Sequence, residues 1–76
     1  MKYARIKGYS PLIGDGMIVN VEVGKPNQLT KAIDTLIAFS KKDWVVDIDF
    51  CNNNDSRSFD MYDPKRAIDL VEVFFL

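Results

Sequence analysis

From Tyr3 to Tyr9 the chain alternates: Ala4 and Ile6 point one way, and Tyr3, Arg5, Lys7 and Tyr9 the other. A period of two marks a strand with one polar face. Ser10-Pro11 and Gly14-Asp15-Gly16 punctuate a loop. A second strand runs from Met17 to Val23, with Met17, Val19, Val21 and Val23 on one face and Ile18, Asn20 and Glu22 on the other. Gly24-Lys25-Pro26-Asn27 breaks it, and the period changes. Leu29, Ala32, Ile33, Leu36, Ile37 and Ser40 recur every three or four residues, the apolar stripe of a helix. Asn27 is placed to cap that helix, and Lys41 and Lys42 suit the negative end of its dipole.

The alternation then returns. Trp44 to Cys51 reads as a third strand, with Trp44, Val46, Ile48 and Phe50 inward and Val45, Asp47, Asp49 and Cys51 outward. Asn52-Asn53-Asn54-Asp55 is a turn, because these side chains tolerate left-handed backbone and bond to their own main chain. Ser58 to Tyr62 is a fourth strand, with Phe59 and Met61 expected inward and Asp60 and Tyr62 outward. Asp63-Pro64 reads as a cap and the first helical position. Ala67, Ile68, Val71, Phe74 and Phe75 follow at helical spacing. A rival reading ends this helix near Asp69 and makes Val71 to Leu76 a strand, since valine and phenylalanine favour strands.

An internal echo favours the helix over residues 65–76. Lys31-Ala32-Ile33-Asp34 recurs as Arg66-Ala67-Ile68-Asp69, each followed by an apolar stretch and each preceded by two strands and a proline. The chain therefore reads as hairpin then helix, made twice: an α+β two-layer sandwich of order ββαββα, with a four-stranded antiparallel sheet and two helices on one face. A crossover through the first helix leaves a gap that the fourth strand can fill, which predicts the sheet order 1-2-4-3. That layout resembles a circularly permuted ferredoxin-like fold. The resemblance spans the chain and is one of topology, so it implies a fold and no functional residues.

Composition narrows the possibilities. At 76 residues, 47% hydrophobic and 28% charged, the chain is expected to be a single domain over residues 1–76 and not a disordered segment. It has no apolar run long enough to span a membrane and no signal-peptide pattern at its start, and Cys51 stands alone, so a cytoplasmic location is expected. The net charge of −1 hides an asymmetry. Residues 1–42 carry seven bases against three acids, and residues 43–76 three bases against eight acids.

Several chemistries are disfavoured. With no histidine, neither a Ser-His nor a Cys-His nucleophile pair can form. Cys51 reads as a small, partly buried filler rather than a reactive thiol. Gly14-Asp15-Gly16 lacks the strand-to-helix setting of a phosphate-binding loop. Asp47, Asp49 and Asp60 fall on adjacent strands, but three carboxylates outside any known loop pattern read as a solvated acidic face rather than a cation site. The expectation is a non-enzymatic chain with no cofactor and no metal.

Two surfaces remain. Asp47, Asp49, Asp55 and Asp60 would form an acidic ridge suited to a basic groove on a nucleic-acid-handling protein, where charge complementarity speeds and orients docking. That is how small stoichiometric inhibitors work, phage anti-defence proteins and toxin-neutralising immunity proteins among them. The alternative is single-stranded nucleic acid on the open sheet face, with Tyr3 and Tyr9 stacking on bases and Arg5 and Lys7 meeting phosphates. With the first strand at one edge and the third at the other, the open face would grade from basic to acidic. Phe74, Phe75 and Leu76 carry more apolar bulk than one helix face can bury, which points to a homodimer through the second helix.

Overall fold

The computed structural model describes residues 2–75 and runs β1 (Tyr3–Tyr9), β2 (Gly16–Glu22), α1 (Pro26–Lys41), β3 (Val45–Asn52), β4 (Asp55–Tyr62) and α2 (Pro64–Phe75). The chain is thus a ββαββα two-layer sandwich, and α2 is helical through Phe75; Leu76 lies outside the described residues.

The order of strands differs from the expected 1-2-4-3. The sheet is antiparallel throughout, in the order β2-β1-β3-β4. This order maps onto itself when the two halves are exchanged, and Ile6 opposite Ile48 marks the centre of the exchange. The gap between β2 and β3 is filled by β1, not by β4. Two features of the side chains account for this. On the outer face, β1 places Arg5 opposite Asp49 and Lys7 opposite Asp47, and opposite charges across a strand pair stabilise it. On the inner face, β1 offers Ala4, Ile6 and Gly8, all buried, whereas β4 places Arg57 opposite Phe50. A charged inward residue is tolerated at an edge and not between two central strands.

The core lies between the sheet and the helices. Ala4, Ile6, Val21, Val46, Ile48 and Phe50 come from the strands, and Ala32, Leu36, Phe39, Ala67 and Val71 from the helices. Each large side chain among them contributes roughly 1.5–3 kcal/mol by leaving water. Phe39 lies directly on Gly8: a Cβ there would come within 2.5 Å of its ring, so only glycine fits. The helices pack against each other, with α1 over β1, β2 and β3 and α2 over β3.

Helix boundaries follow local chemistry. α1 starts one residue before the expected cap: Lys25 holds the cap position without a side-chain bond, Pro26 is the first helical residue, and Asn27 lies inside the first turn. Proline supplies the fixed φ a first turn needs. At the other end Asp43 turns left-handed (φ 56°), and the Trp44 N–H returns to the Phe39 carbonyl at 3.1 Å, which directs the chain into β3. The stripe of α1 is narrower than expected, since Ile37 is exposed. α2 begins as expected, with the Lys65 N–H donating to Asp63 Oδ1 at 3.0 Å.

β4 starts at Asp55, earlier than expected, and carries a bulge. Val46 pairs with Tyr62 and Ile48 with Phe59, so two residues, Asp60 and Met61, oppose Asp47. Met61 adopts φ 52°, and its N–H donates to Asp47 Oδ1 at 2.8 Å. The bulge reverses the facing of the last two residues. Met61, expected inward, is 67% exposed; Tyr62, expected outward, packs edge-on against Phe59 at 6.0 Å.

Candidate functional site

The face of the sheet away from the helices is open, and the strand order decides what it displays. Rows run across it in the order β2, β1, β3, β4: Glu22, Tyr3, Cys51, Ser56; then Asn20, Arg5, Asp49, Ser58; then Ile18, Lys7, Asp47 and the bulge. The expected gradient from a basic edge to an acidic edge is absent, because the basic strand and the acidic strand are the two central ones. Arg5 and Lys7 stand beside Asp49 and Asp47.

The carboxylates of this face are held in place. Asp47 Oδ1 accepts from the Tyr9 hydroxyl at 3.1 Å as well as from the Met61 N–H. Asp49 Oδ1 accepts from the Ser58 hydroxyl at 2.7 Å. In these bonds each aspartate uses one oxygen, Oδ1, and both residues are half-buried on the open face. Burial, then the bond to Asp47, then the charges of Asp47 and Asp60 push the Tyr9 phenol above its ordinary value. Tyr3 is also raised, first by a hydrogen bond with Cys51 and by that thiol's charge when ionised. Lys7 Nζ sits 5.6 Å from the centre of the Tyr9 ring, a cation–π contact.

The four aspartates proposed from sequence do not form one ridge. Asp47 and Asp49 lie on central β3, Asp60 joins Asp47 at the bulge, and Asp55 stands apart at the hairpin turn, 3.9 Å from the Arg57 guanidinium. Among the described residues, no group of three or more acidic or cysteine side chains is arranged to hold a metal ion. Tyr3, Arg5, Lys7 and Tyr9 do share the open face, on a central strand rather than an edge.

Phe74 and Phe75, the residues expected to serve self-association, are half-buried. Phe74 packs on Phe50 at 4.5 Å and Phe75 on Phe74 at 6.4 Å, while Val73 beside them is 70% exposed. Together Phe50, Phe59, Leu70, Val73, Phe74 and Arg57 line a groove of about 310 Å³ between β4 and α2.

One apolar feature was missed in sequence. The β1–β2 loop is tightly built: Ser10 N–H donates to the Asp15 carbonyl at 2.7 Å, Gly14 N–H to the Ser10 carbonyl at 2.9 Å, and the Ser10 hydroxyl oxygen accepts from Leu12 and Ile13 N–H at 3.3 Å. It carries Leu12, 93% exposed, and Ile13, 77% exposed. Two aliphatic residues between Pro11 and Gly14 were the available signal. Among the described residues, no helix is long and apolar enough to cross a membrane. No protein-family model matches this chain, and no characterised protein or solved structure is significantly similar to it.

Proposed function

We propose that this chain acts in the cytoplasm by binding another protein through its open sheet face, as a stoichiometric inhibitor or adaptor and not by catalysis. The observation that carries the reading is the anchoring of Asp47 and Asp49. Exposed carboxylates usually sample many rotamers, and fixing them on binding costs free energy. Here that cost has been met within the fold by Tyr9, Met61 and Ser58. The partner surface that matches is basic, with lysines or arginines spaced to meet two carboxylates two residues apart on one strand. A nucleic-acid-handling protein presents such a surface, and occupying it would block it.

A second reading has one observation in its favour. Tyr3, Arg5, Lys7 and Tyr9 lie on a central strand, where single-stranded nucleic acid stacks on open sheets. Asp47 and Asp49 flank that strand and repel phosphate.

One variant separates the two. Asp47→Asn with Asp49→Asn keeps the side-chain acceptors and removes both charges. Protein binding through the acidic face is expected to fall at least about tenfold, as for loss of close charge pairs at an interface. Nucleic-acid binding is expected to rise and to weaken steeply with salt. The measurement is capture by tagged protein from nuclease-treated lysate, wild type against variant, followed by titration of the captured partner. Equal capture by both proteins would refute the proposed role of these carboxylates.

A further inference from the structure

The two edges of the sheet are built differently. β4 is guarded: Asp55, Arg57 and Asp60 lie along it, and the bulge at Met61 breaks its line. Charges and bulges are the usual means of preventing edge-to-edge pairing. β2 has neither. Its pairing with β1 is regular from Gly16 to Glu22, and no charged residue occurs between Gly16 and Val21. Met17 and Ile18 are both 52% exposed.

The free hydrogen-bonding groups of β2 can be assigned. In an antiparallel pair, alternate residues direct both N–H and C=O to the partner strand, and those between direct both away. The Val23 N–H donates to the Lys2 carbonyl at 3.0 Å, so the odd-numbered residues of β2 face β1. Gly16, Ile18, Asn20 and Glu22 face the open edge, Ile18 and Asn20 at its middle. The Glu22 N–H is already taken by Gln28 Oε1 at 3.3 Å. Ile18 and Asn20 keep theirs for another strand.

We infer that this edge pairs with the same edge of a second copy, to give one continuous eight-stranded sheet. A two-fold axis at Val19 puts Ile18 of each copy opposite Asn20 of the other, so the two free residues satisfy each other twice. The ends of the edge fit as well. The Leu12–Ile13 tip projects beyond Gly16. Beyond the middle of the strand, at the Glu22 end, lies an open cleft of about 470 Å³ lined by Tyr3, Asn20, Val21, Glu22, Lys25 and Gln28. Antiparallel pairing brings the tip of each copy to the cleft of the other. Glu22 and Lys25 neutralise each other there at 3.0 Å, so the cleft sets no net charge against an apolar tip. A protrusion and a recess on one edge, related by the axis that pairs the strands, is the arrangement a symmetric dimer requires. This interface leaves the open sheet face free and uses neither Phe74 nor Phe75.

The test is sedimentation equilibrium of the full chain, with amide hydrogen exchange followed at several concentrations. A dimer is expected, with the Ile18 and Asn20 amides protected more as concentration rises. Ile18→Lys places like charges diagonally across the junction and is expected to weaken association at least about tenfold. Asn20→Pro removes an N–H that makes no bond within the monomer, and is expected to do the same. Leu12→Asp tests the tip. Met61→Lys on the opposite edge is expected to change nothing. A chain that stays monomeric to about millimolar concentration would overturn the inference, since weaker association than that is negligible. So would a dimer that survives both β2 variants, or one broken by Met61→Lys or by Val73→Glu on α2.

Discussion

The two halves of the chain follow one plan, hairpin then helix, and finish it differently. In the first half α1 is 16 residues long and covers three strands, and the hairpin beneath it is regular. In the second half α2 is 12 residues long and lies mainly on β3, and the hairpin is bulged. The longer helix seals its end of the core with Phe39 over Gly8. The shorter one leaves a groove beside Phe74. Both halves supply the core, but the repeated plan yields one half that seals its end of it and presents an unguarded edge, and one half that guards its edge and leaves apolar surface partly open. The anchored acidic face depends on both, because Tyr9 of the first half holds Asp47 of the second.

The largest effect is expected from removing the phenylalanine near the end of each helix. Phe39 is buried, and truncating a buried phenylalanine to alanine costs about 3–5 kcal/mol. Phe74 already borders a groove, so Phe74→Ala removes fewer contacts and is expected to cost roughly half as much. Urea unfolding of both variants measures the difference. Equal losses would mean that the two ends of the core are sealed alike and that the groove is closed in solution.

A smaller effect is expected at the bulge. Met61 holds a left-handed backbone conformation, which costs a residue with a Cβ about 1–2 kcal/mol, while its side chain is mostly in solvent. Met61→Gly removes that strain and adds unfolded-state entropy, for a net gain of roughly 0.5–1 kcal/mol. Thermal unfolding reports it. A loss of stability would show that the exposed methionine contributes packing that its surroundings do not suggest.

All six elements were legible in the sequence: the shift between a period of two and a period of 3.6 separates strands from helices, and turn residues separate the strands of each hairpin, although β4 and α1 start earlier than expected. The order of strands was not. Alternation shows which face of a strand is buried and is silent about which strand lies beside it. The charges held a clue: Arg5 and Lys7 share the two-residue spacing of Asp47 and Asp49, as a cross-strand ladder requires. On opposite edges of one face these charges would give a gradient; as cross-strand neighbours they give a mixed row. The bulge left no such mark. No glycine signals it, and Met61 turns left-handed because Asp47 accepts its N–H, a contact between residues far apart in sequence. Phe74 and Phe75 looked surplus because one helix face cannot bury both. The sheet supplies the rest, with Phe50 receiving Phe74.

The smallest effect lies where the halves meet, and it reads the anchoring of the acidic face directly. Tyr9 and Tyr3 stand at opposite ends of β1, and both phenols titrate above the ordinary 10.0. Their surroundings differ. Tyr9 owes its shift to burial, to its bond with Asp47 and to the charges of Asp47 and Asp60; for Tyr3 the first cause is Cys51, and Asp47 is not among its causes. Asp47→Asn is therefore expected to lower the Tyr9 value toward the ordinary one and to leave Tyr3 nearly unchanged. A phenol raised in the folded state is favoured there in its neutral form. Its contribution to stability is complete below pH 10 and is lost as pH climbs through the folded value. In Asp47→Asn that alkaline loss should be smaller. Tyrosine ring shifts followed by NMR through the alkaline range resolve the two residues separately. If Tyr9 moved no more than Tyr3, the carboxylate would not be anchored by the phenol in solution. Asp47 would then be held by the Met61 amide alone and Asp49 by Ser58, and the case for a preorganised surface would rest on those two bonds.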